Sequence, residues 1–275
     1  MIPTAAAPVA DDTPAVSITE LDRVAAPDVE TFERLYVRPG KPVVLTGLTA
    51  DWAPPREWTF ANVAERYGDA QVVAAVLTDG TLAGDGVEFR HVALRDFIAS
   101  LAQPGTASHY VMAPTWNLPP AFQADHGVPA YCANASHLRA KFWVGKAGTV
   151  TPMHRDVPHN LNVHLTGRKR WLLYPPGGAG MYPRGFFSGM PNFSSVDPEH
   201  PDYARHPRFR AKRPVGGIVG DGETLFIPHG WWHHTRSLDD AVAVNFWWGG
   251  AVVQLFALAS ATFKRVRGIR RDEWS

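Results

Sequence analysis

Six residues, Asn160 to Leu165, alternate polar and apolar without a break: Asn, Leu, Asn, Val, His, Leu. Side chains of an extended chain point to opposite faces in turn, so this run is expected to be a strand with one polar and one apolar face. Its neighbours suggest what the polar face looks at. Before it stand His154 and Asp156, and after it a Thr166-Gly167 turn leads to Lys169. Residues two apart share a face, so His154 and Asp156 can converge on one ion, and Lys169, Trp171 and Leu173 form one stripe. A polar face flanked in this way is expected to line a barrel lumen rather than to meet solvent.

A third ligand must come from elsewhere, and His233, in GETLFIPHGWWHH, is the best candidate. Two imidazoles and one carboxylate on one face of an octahedron leave three positions open, which suits non-haem Fe(II). A closed structural zinc site would want four ligands, usually with Cys, and Cys132 is the single cysteine. The chain has 12 His in 275 residues, so the His-x-Asp pair alone is a weak signal and its weight comes from the surrounding blocks.

Those blocks are GTVTPMHRD with the following Asn160, then GRKRWLLYPP, DPEHPDYARHPRF, GETLFIPHGWWHH and VNFWW. In this order they resemble the JmjC, or cupin-8-like, branch of Fe(II)- and 2-oxoglutarate-dependent oxygenases. Within it the chain is most similar to the asparaginyl hydroxylase that inhibits hypoxia-inducible factor and to its bacterial relatives. The resemblance runs from about residue 41 to 250. It implies a mainly β fold with flanking helices, a double-stranded β-helix or jelly-roll barrel of the cupin-like JmjC type. It also implies Fe(II) with 2-oxoglutarate and O₂ as co-substrates, and hydroxylation of a C–H bond of a peptide or protein side chain.

By motif position, His154, Asp156 and His233 match the metal ligands, and His234 lies behind them or at the surface. Lys169 matches the lysine that pairs with the distal carboxylate of 2-oxoglutarate, and Thr151 and Tyr110 match hydroxyls at that carboxylate. Asn160 and Asn245 match asparagines lining the same site. Asn162 and His164 depart from the closest relatives, which have an aromatic and a glutamine there. With Trp116 and Trp231, these two are the candidate substrate residues. Spacing alone leaves Lys169 either in the lumen or solvated within Arg168-Lys169-Arg170; the resemblance favours the lumen.

The rest of the chain is expected to support this barrel. Residues 1–16 are Ala/Pro/Asp-rich and aperiodic, a disordered tail. The oxygenase domain spans 17–250. Asp28 caps a helix carrying Val29, Phe32, Leu35 and Tyr36, Pro42 to Leu45 is a buried strand, and Thr59 caps a second helix that Gly68 ends. Residues 71–77 form a strand, and Leu94, Phe97, Ile98 and Leu101 mark a third helix. Four prolines break up 104–139, which is expected to be a loop-rich substrate lid containing Trp116 and Phe122. A second Pro/Gly-rich segment, 177–213, is expected to form a groove with it. Ala241 to Trp248 is the last strand, and 251–275 a C-terminal helix offering a homodimer contact.

A net charge of +1 gives no argument for nucleic acid or a membrane surface. No apolar run reaches the roughly 18 residues of a membrane span, and one Cys fits a reducing, cytoplasmic setting. Three other readings stay open: a small-molecule tailoring hydroxylase, a zinc or manganese hydrolase or isomerase on the same barrel, and a non-catalytic binding barrel.

Overall fold

The computed structural model describes residues 17–77, 87–103, 109–133, 139–185 and 190–249. The expected N-terminal tail and the C-terminal helix with its dimer contact lie outside them. In chain order come β1 (Thr19–Glu20), β2 (Arg23–Ala25), α1 (Val29–Phe32) running on into a π-helical turn at Glu33–Val37, β3 (Val43–Thr46) and α2 (Phe60–Tyr67). Then follow β4 (Gln71–Leu77), β5 (Val87–Ala93), α3 (Leu94–Ser100), β6 (His109–Pro114) and α4 (Pro120–Asp125). Eight strands complete the chain: β7 (Arg139–Gly145), β8 (Val150–Arg155), β9 (His159–Thr166), β10 (Lys169–Tyr174), β11 (Val215–Val219), β12 (Thr224–Ile227), β13 (Trp232–Ser237) and β14 (Ala241–Trp248).

The predicted caps form. The Asp28 carboxylate accepts from the Thr31 amide at 2.8 Å, and the Thr59 hydroxyl from the Asn62 amide at 3.3 Å. Gly68 ends α2 for a reason other than a left-handed cap, because its φ is −61°. A Cβ there would lie 2.1 Å from the Ala64 carbonyl oxygen and 2.8 Å from the Arg95 Cβ. The glycine lets α3 approach α2.

The eight final strands form two facing layers. The larger sheet runs β2-β3-β12-β9-β14-β7-β6-β4-β5, and the smaller β1-β11-β10-β13-β8. The chain crosses between layers at β7–β8, β8–β9 and β9–β10, and again at β11–β12, β12–β13 and β13–β14. This is a double-stranded β-helix, as expected, with β6, β4 and β5 extending the larger sheet.

Alternation then sorts the side chains. Leu161, Val163 and Leu165 of β9 and Val242, Val244 and Phe246 of β14 join Phe32, Phe60, Val63, Phe97, Ile98 and Phe122 in one buried cluster. The helices therefore cover the outer face of the larger sheet. Each such fully buried side chain contributes about 1.5–3 kcal/mol relative to exposure. The intervening Asn160, Asn162, His164 and Asn245 point the other way, into the lumen, where all four are buried.

One expectation about the long segments is corrected in part. The described residues 109–133 are not continuous loop, because they contain β6 and α4. The prolines stand where their missing N–H does no harm: Pro114 ends β6 and Pro120 opens α4. Phe122 is buried core, whereas Trp116 is 62% exposed. Part of the 177–213 segment is core. Met181, Val196 and Phe209 pack with Leu172, Tyr174 and Trp232 behind the smaller sheet.

Candidate metal and co-substrate site

His154 is the next-to-last residue of β8, Asp156 lies in the turn to β9, and His233 lies on β13 directly opposite His154. His154 Nε2 is 3.9 Å from Asp156 Oδ1, and His233 Nε2 is 3.7 Å from Asp156 Oδ2. One ligand atom from each of the three lies within 4.8 Å of the others.

Both imidazoles are held from behind. His154 Nδ1 donates to the Pro152 carbonyl at 2.9 Å, and His233 Nδ1 to the Trp231 carbonyl at 3.1 Å. With its proton on Nδ1, each ring keeps the Nε2 lone pair for the ion. Burial, then the neighbouring His154, pushes the His233 pKa down to about 4, so this ligand is neutral at physiological pH.

Burial works against the charge of Asp156. His233 and His154 beside it, with bonds from Trp247 and Asn160, outweigh that and hold its pKa below the usual carboxylate value. Trp247 Nε1 donates to Asp156 Oδ2 at 2.9 Å, and Asn160 Nδ2 to the same oxygen at 3.3 Å. A chain of amides stands behind Asn160. Asn245 Nδ2 donates to Asn160 Oδ1 at 2.7 Å, and Asn162 Nδ2 to Asn245 Oδ1 at 2.7 Å. In this network every amide donates toward the carboxylate.

Deeper in the lumen lies Lys169, 6% exposed. Burial pushes its pKa down to about 8, and no carboxylate among the described residues opposes the shift. Tyr110 of β6 faces Thr151 of β8 across the barrel. Burial raises the pKa of the phenol, and its bond with Thr151 opposes that only in part.

Thr151 and His154 are three residues apart, so a regular strand would place them on opposite faces. A register shift corrects this. Opposite β13, His154 faces His233 and Thr151 faces Thr235, with a bulge between them. Both side chains therefore point inward.

The remaining candidates separate clearly. Asn162 is in the lumen, and its Oδ1 has no partner among the described residues. His164 is not available to a substrate: Trp171 Nε1 donates to its Nε2 at 3.2 Å, and its Nδ1 lies 3.4 Å from the Gly167 carbonyl. Burial, then Lys169, pushes its pKa down to about 3. Trp231 is spent on structure, its Nε1 donating to the Gly40 carbonyl at 3.0 Å. Trp116 lies just past the end of β6. Pro114, the last residue of β6, pairs with Lys141, which pairs with Asn245, so Trp116 stands at the same end of the sheet as the ligands.

His234 faces the other side of β13, 3.5 Å from Glu199. Two contacts were not foreseen. Trp247 shares the inward face of Asn245, so the alternation of β14 could have revealed it. Phe193 stacks on His154 from the 177–213 segment, and nothing in its local sequence signals this.

The donor set suits Fe(II): two imidazoles and one carboxylate, with no thiolate among them. A buried lysine with no carboxylate partner among the described residues suits the distal carboxylate of 2-oxoglutarate.

A family profile described as "Cupin-like domain" matches residues 29–251. The chain is 30% identical over 240 residues to "Lysine-specific demethylase 8" of Xenopus tropicalis, across 84% of this chain and 53% of that protein. It is 27% identical over 253 residues to the human "Bifunctional peptidase and (3S)-lysyl hydroxylase JMJD7", across 79% and 80%. To the human "2-oxoglutarate and iron-dependent oxygenase JMJD4" it is 28% identical over 247 residues, across 79% and 58%. The chain thus spans about half the length of the first of these.

Proposed function

We propose, since this chain belongs to the cupin-like domain family and carries a complete His–Asp–His face, that it is an Fe(II)- and 2-oxoglutarate-dependent oxygenase. The reaction is hydroxylation of a C–H bond on a peptide or protein side chain. The observation that carries this reading is the pairing of the three ligands with Lys169, a buried cation lacking a carboxylate partner in the same lumen. A structural metal site has no use for such a lysine.

Iron with 2-oxoglutarate and O₂ supplies the oxidising chemistry, releasing succinate and CO₂. The chain supplies positions. His154, Asp156 and His233 hold the ion from one side. Trp247 and Asn160 fix one Asp156 oxygen. Lys169, Thr151 and Tyr110 hold the distal carboxylate, and Asn245 steadies Asn160. No side chain is nominated as a general base.

The names of the relatives point to lysine as their target, and a polar or basic side chain is the target class proposed here. Asn162 Oδ1 offers it an acceptor in the lumen. A small-molecule substrate is the second reading, because Phe193 of the 177–213 segment stacks on His154 and covers one side of the site.

The test is succinate release with Fe(II), 2-oxoglutarate and ascorbate, with and without a peptide pool, followed by mass spectrometry. Peptide-stimulated succinate and a gain of one oxygen on some peptides are expected, and both should vanish in Asp156→Ala. Oxidation of small metabolites alone would establish the second reading. No succinate under any condition would refute the oxygenase assignment.

A further inference from the structure

We propose that Phe193 is a positioning residue for the metal site, fixing the His154 imidazole from a strap formed by residues 190–199. This rests on the metal reading above. The Phe193 and His154 rings are stacked, with centroids 4.9 Å apart and planes 17° from parallel. Phe193 is 8% exposed, so one face of a metal-binding imidazole is covered by an aromatic side chain and shielded from water.

The contact is built into the backbone. β8 is the last strand of the smaller sheet, so its outer edge offers unpaired N–H and C=O groups. The strap takes that edge at the ligand itself. His154 and Phe193 form an isolated antiparallel bridge. The Arg155 amide donates to the Asn192 carbonyl at 3.0 Å, and the Ser194 amide to the Met153 carbonyl at 2.8 Å.

Three further anchors hold the strap. Ser194 Oγ donates to the Met181 carbonyl at 2.6 Å. The Tyr182 carbonyl accepts from the Ser195 amide at 3.0 Å, and Tyr182 itself has a φ of 47°, a strained value for a side chain of its size. At the far end Glu199 is buried against Arg170 and Arg236. A simple surface connector needs neither the strained residue nor the buried ion pairs.

Among the described residues His154 Nδ1 bonds to the Pro152 carbonyl alone, and the His233 ring meets its ring at a tilt of 58°. A hydrogen bond to one atom leaves the ring free to swing about it, and the stacked phenyl blocks that motion. Phe193 thus acts through His154 and touches no reacting atom.

Cobalt(II) titration tests this, read by visible absorption and by competition with a chelator, on Phe193→Tyr, Phe193→Leu and Phe193→Ala. Phe193→Tyr, which keeps the ring, should bind Co(II) like the parent with the same spectrum. Phe193→Leu keeps apolar bulk but not the flat face; it should weaken binding about three- to tenfold and alter the absorption, with unchanged melting of the metal-free protein. Phe193→Ala should do at least as much. If Phe193→Leu matches the parent in affinity and spectrum, Phe193 is a filler and the proposal fails. Loss in Phe193→Tyr equal to that in Phe193→Leu also overturns it, because the ring is then not what matters. If Phe193→Ala does not fold, the Tyr and Leu variants decide. A parent that binds Co(II) through Asp156 yet releases no succinate would refute the oxygenase assignment and leave this inference standing. A parent that binds no Co(II) would refute both.

Discussion

Replacing Lys169 with Met should raise the stability of the protein while weakening its hold on 2-oxoglutarate. Burial lowers the ammonium pKa from 10.5 to about 8. At ~1.4 kcal/mol per tenfold change in protonation, the folded chain carries a cost of about 3 kcal/mol at pH 7. The sign follows from proton counting. Between about 8 and 10.5 the unfolded chain binds more protons than the folded one, so stability rises with pH in that window. Below it the penalty is complete, and above it the penalty is gone. Met has similar length and no charge, and should recover about 1–3 kcal/mol at pH 7. For a chain of this size that is a rise in Tm of about 3–10 °C. The same substitution removes a charge-assisted contact to the co-substrate of about 1.5–3 kcal/mol, equivalent to a ten- to hundredfold higher 2-oxoglutarate requirement. Thermal melting in chelator at pH 7 and pH 10.5 gives the first quantity, and succinate release against 2-oxoglutarate concentration the second. The stability gap between variant and parent should narrow at the higher pH. A variant that melts below the parent at pH 7 would show that Lys169 has a stabilising internal partner. An unchanged 2-oxoglutarate requirement would place the co-substrate carboxylate elsewhere.

Trp247→Phe keeps the ring but removes the indole donor to Asp156 Oδ2, and should weaken Fe(II) or Co(II) binding about ten- to a hundredfold in chelator competition; unchanged affinity would leave Asn160 as sufficient support. Glu199→Gln leaves Arg170 and Arg236 behind the smaller sheet without their carboxylate, at a cost of about 3–5 kcal/mol in urea unfolding. Burial opposes the Glu199 charge, but bonds from His234, Arg236 and Arg170 outweigh it and hold its pKa well below the usual glutamate value of 4.5. Its contribution is therefore present above about 4.5 and lost as pH falls below, so parent and variant should converge in acid. A variant as stable as the parent at pH 7 would remove Glu199 from the support of the strap.

Where a side chain's role follows from strand period alone, the sequence was sufficient. The parity of Asn160, Asn162 and His164 against Leu161, Val163 and Leu165 assigned two faces that the structure reproduces. The same parity set Lys169 with Trp171 and Asn245 opposite Phe246, and it was available for Trp247. Thr151 needed more. Its inward direction depends on a bulge opposite β13, and a bulge is a property of two strands in register, invisible in either one. His164 shows the complementary failure, because a polar lumen residue invites a ligand reading until a partner such as Trp171 is seen to satisfy it. Prolines concealed β6 by standing at the ends of elements, where they are tolerated, rather than inside them. Phe193 reaches His154 across some forty positions of chain through a backbone bridge that no local pattern encodes.

The three faces of this barrel carry different loads, and that separation is what permits a polar lumen. The outer face of the larger sheet holds the main apolar cluster, which provides most of the hydrophobic stabilisation. The outer face of the smaller sheet combines a second cluster with the buried Glu199 ion pairs. The lumen combines a third apolar cluster, which includes Trp171, Leu173, Leu225 and Ile227, with groups that reduce stability. Asn162 Oδ1, Thr235 Oγ1 and Trp143 Nε1 have no hydrogen-bond partner among the described residues, and Lys169 is a buried cation. An unpaired buried polar group costs about 1–3 kcal/mol, so a fold selected for stability alone would have replaced them with apolar residues. These groups share the barrel interior with His154, Asp156 and His233, which could hold a metal ion. Substitutions in the outer cluster should therefore change stability with little effect on metal affinity. Substitutions in the lumen should change binding with little loss of stability, and at Lys169 with a gain.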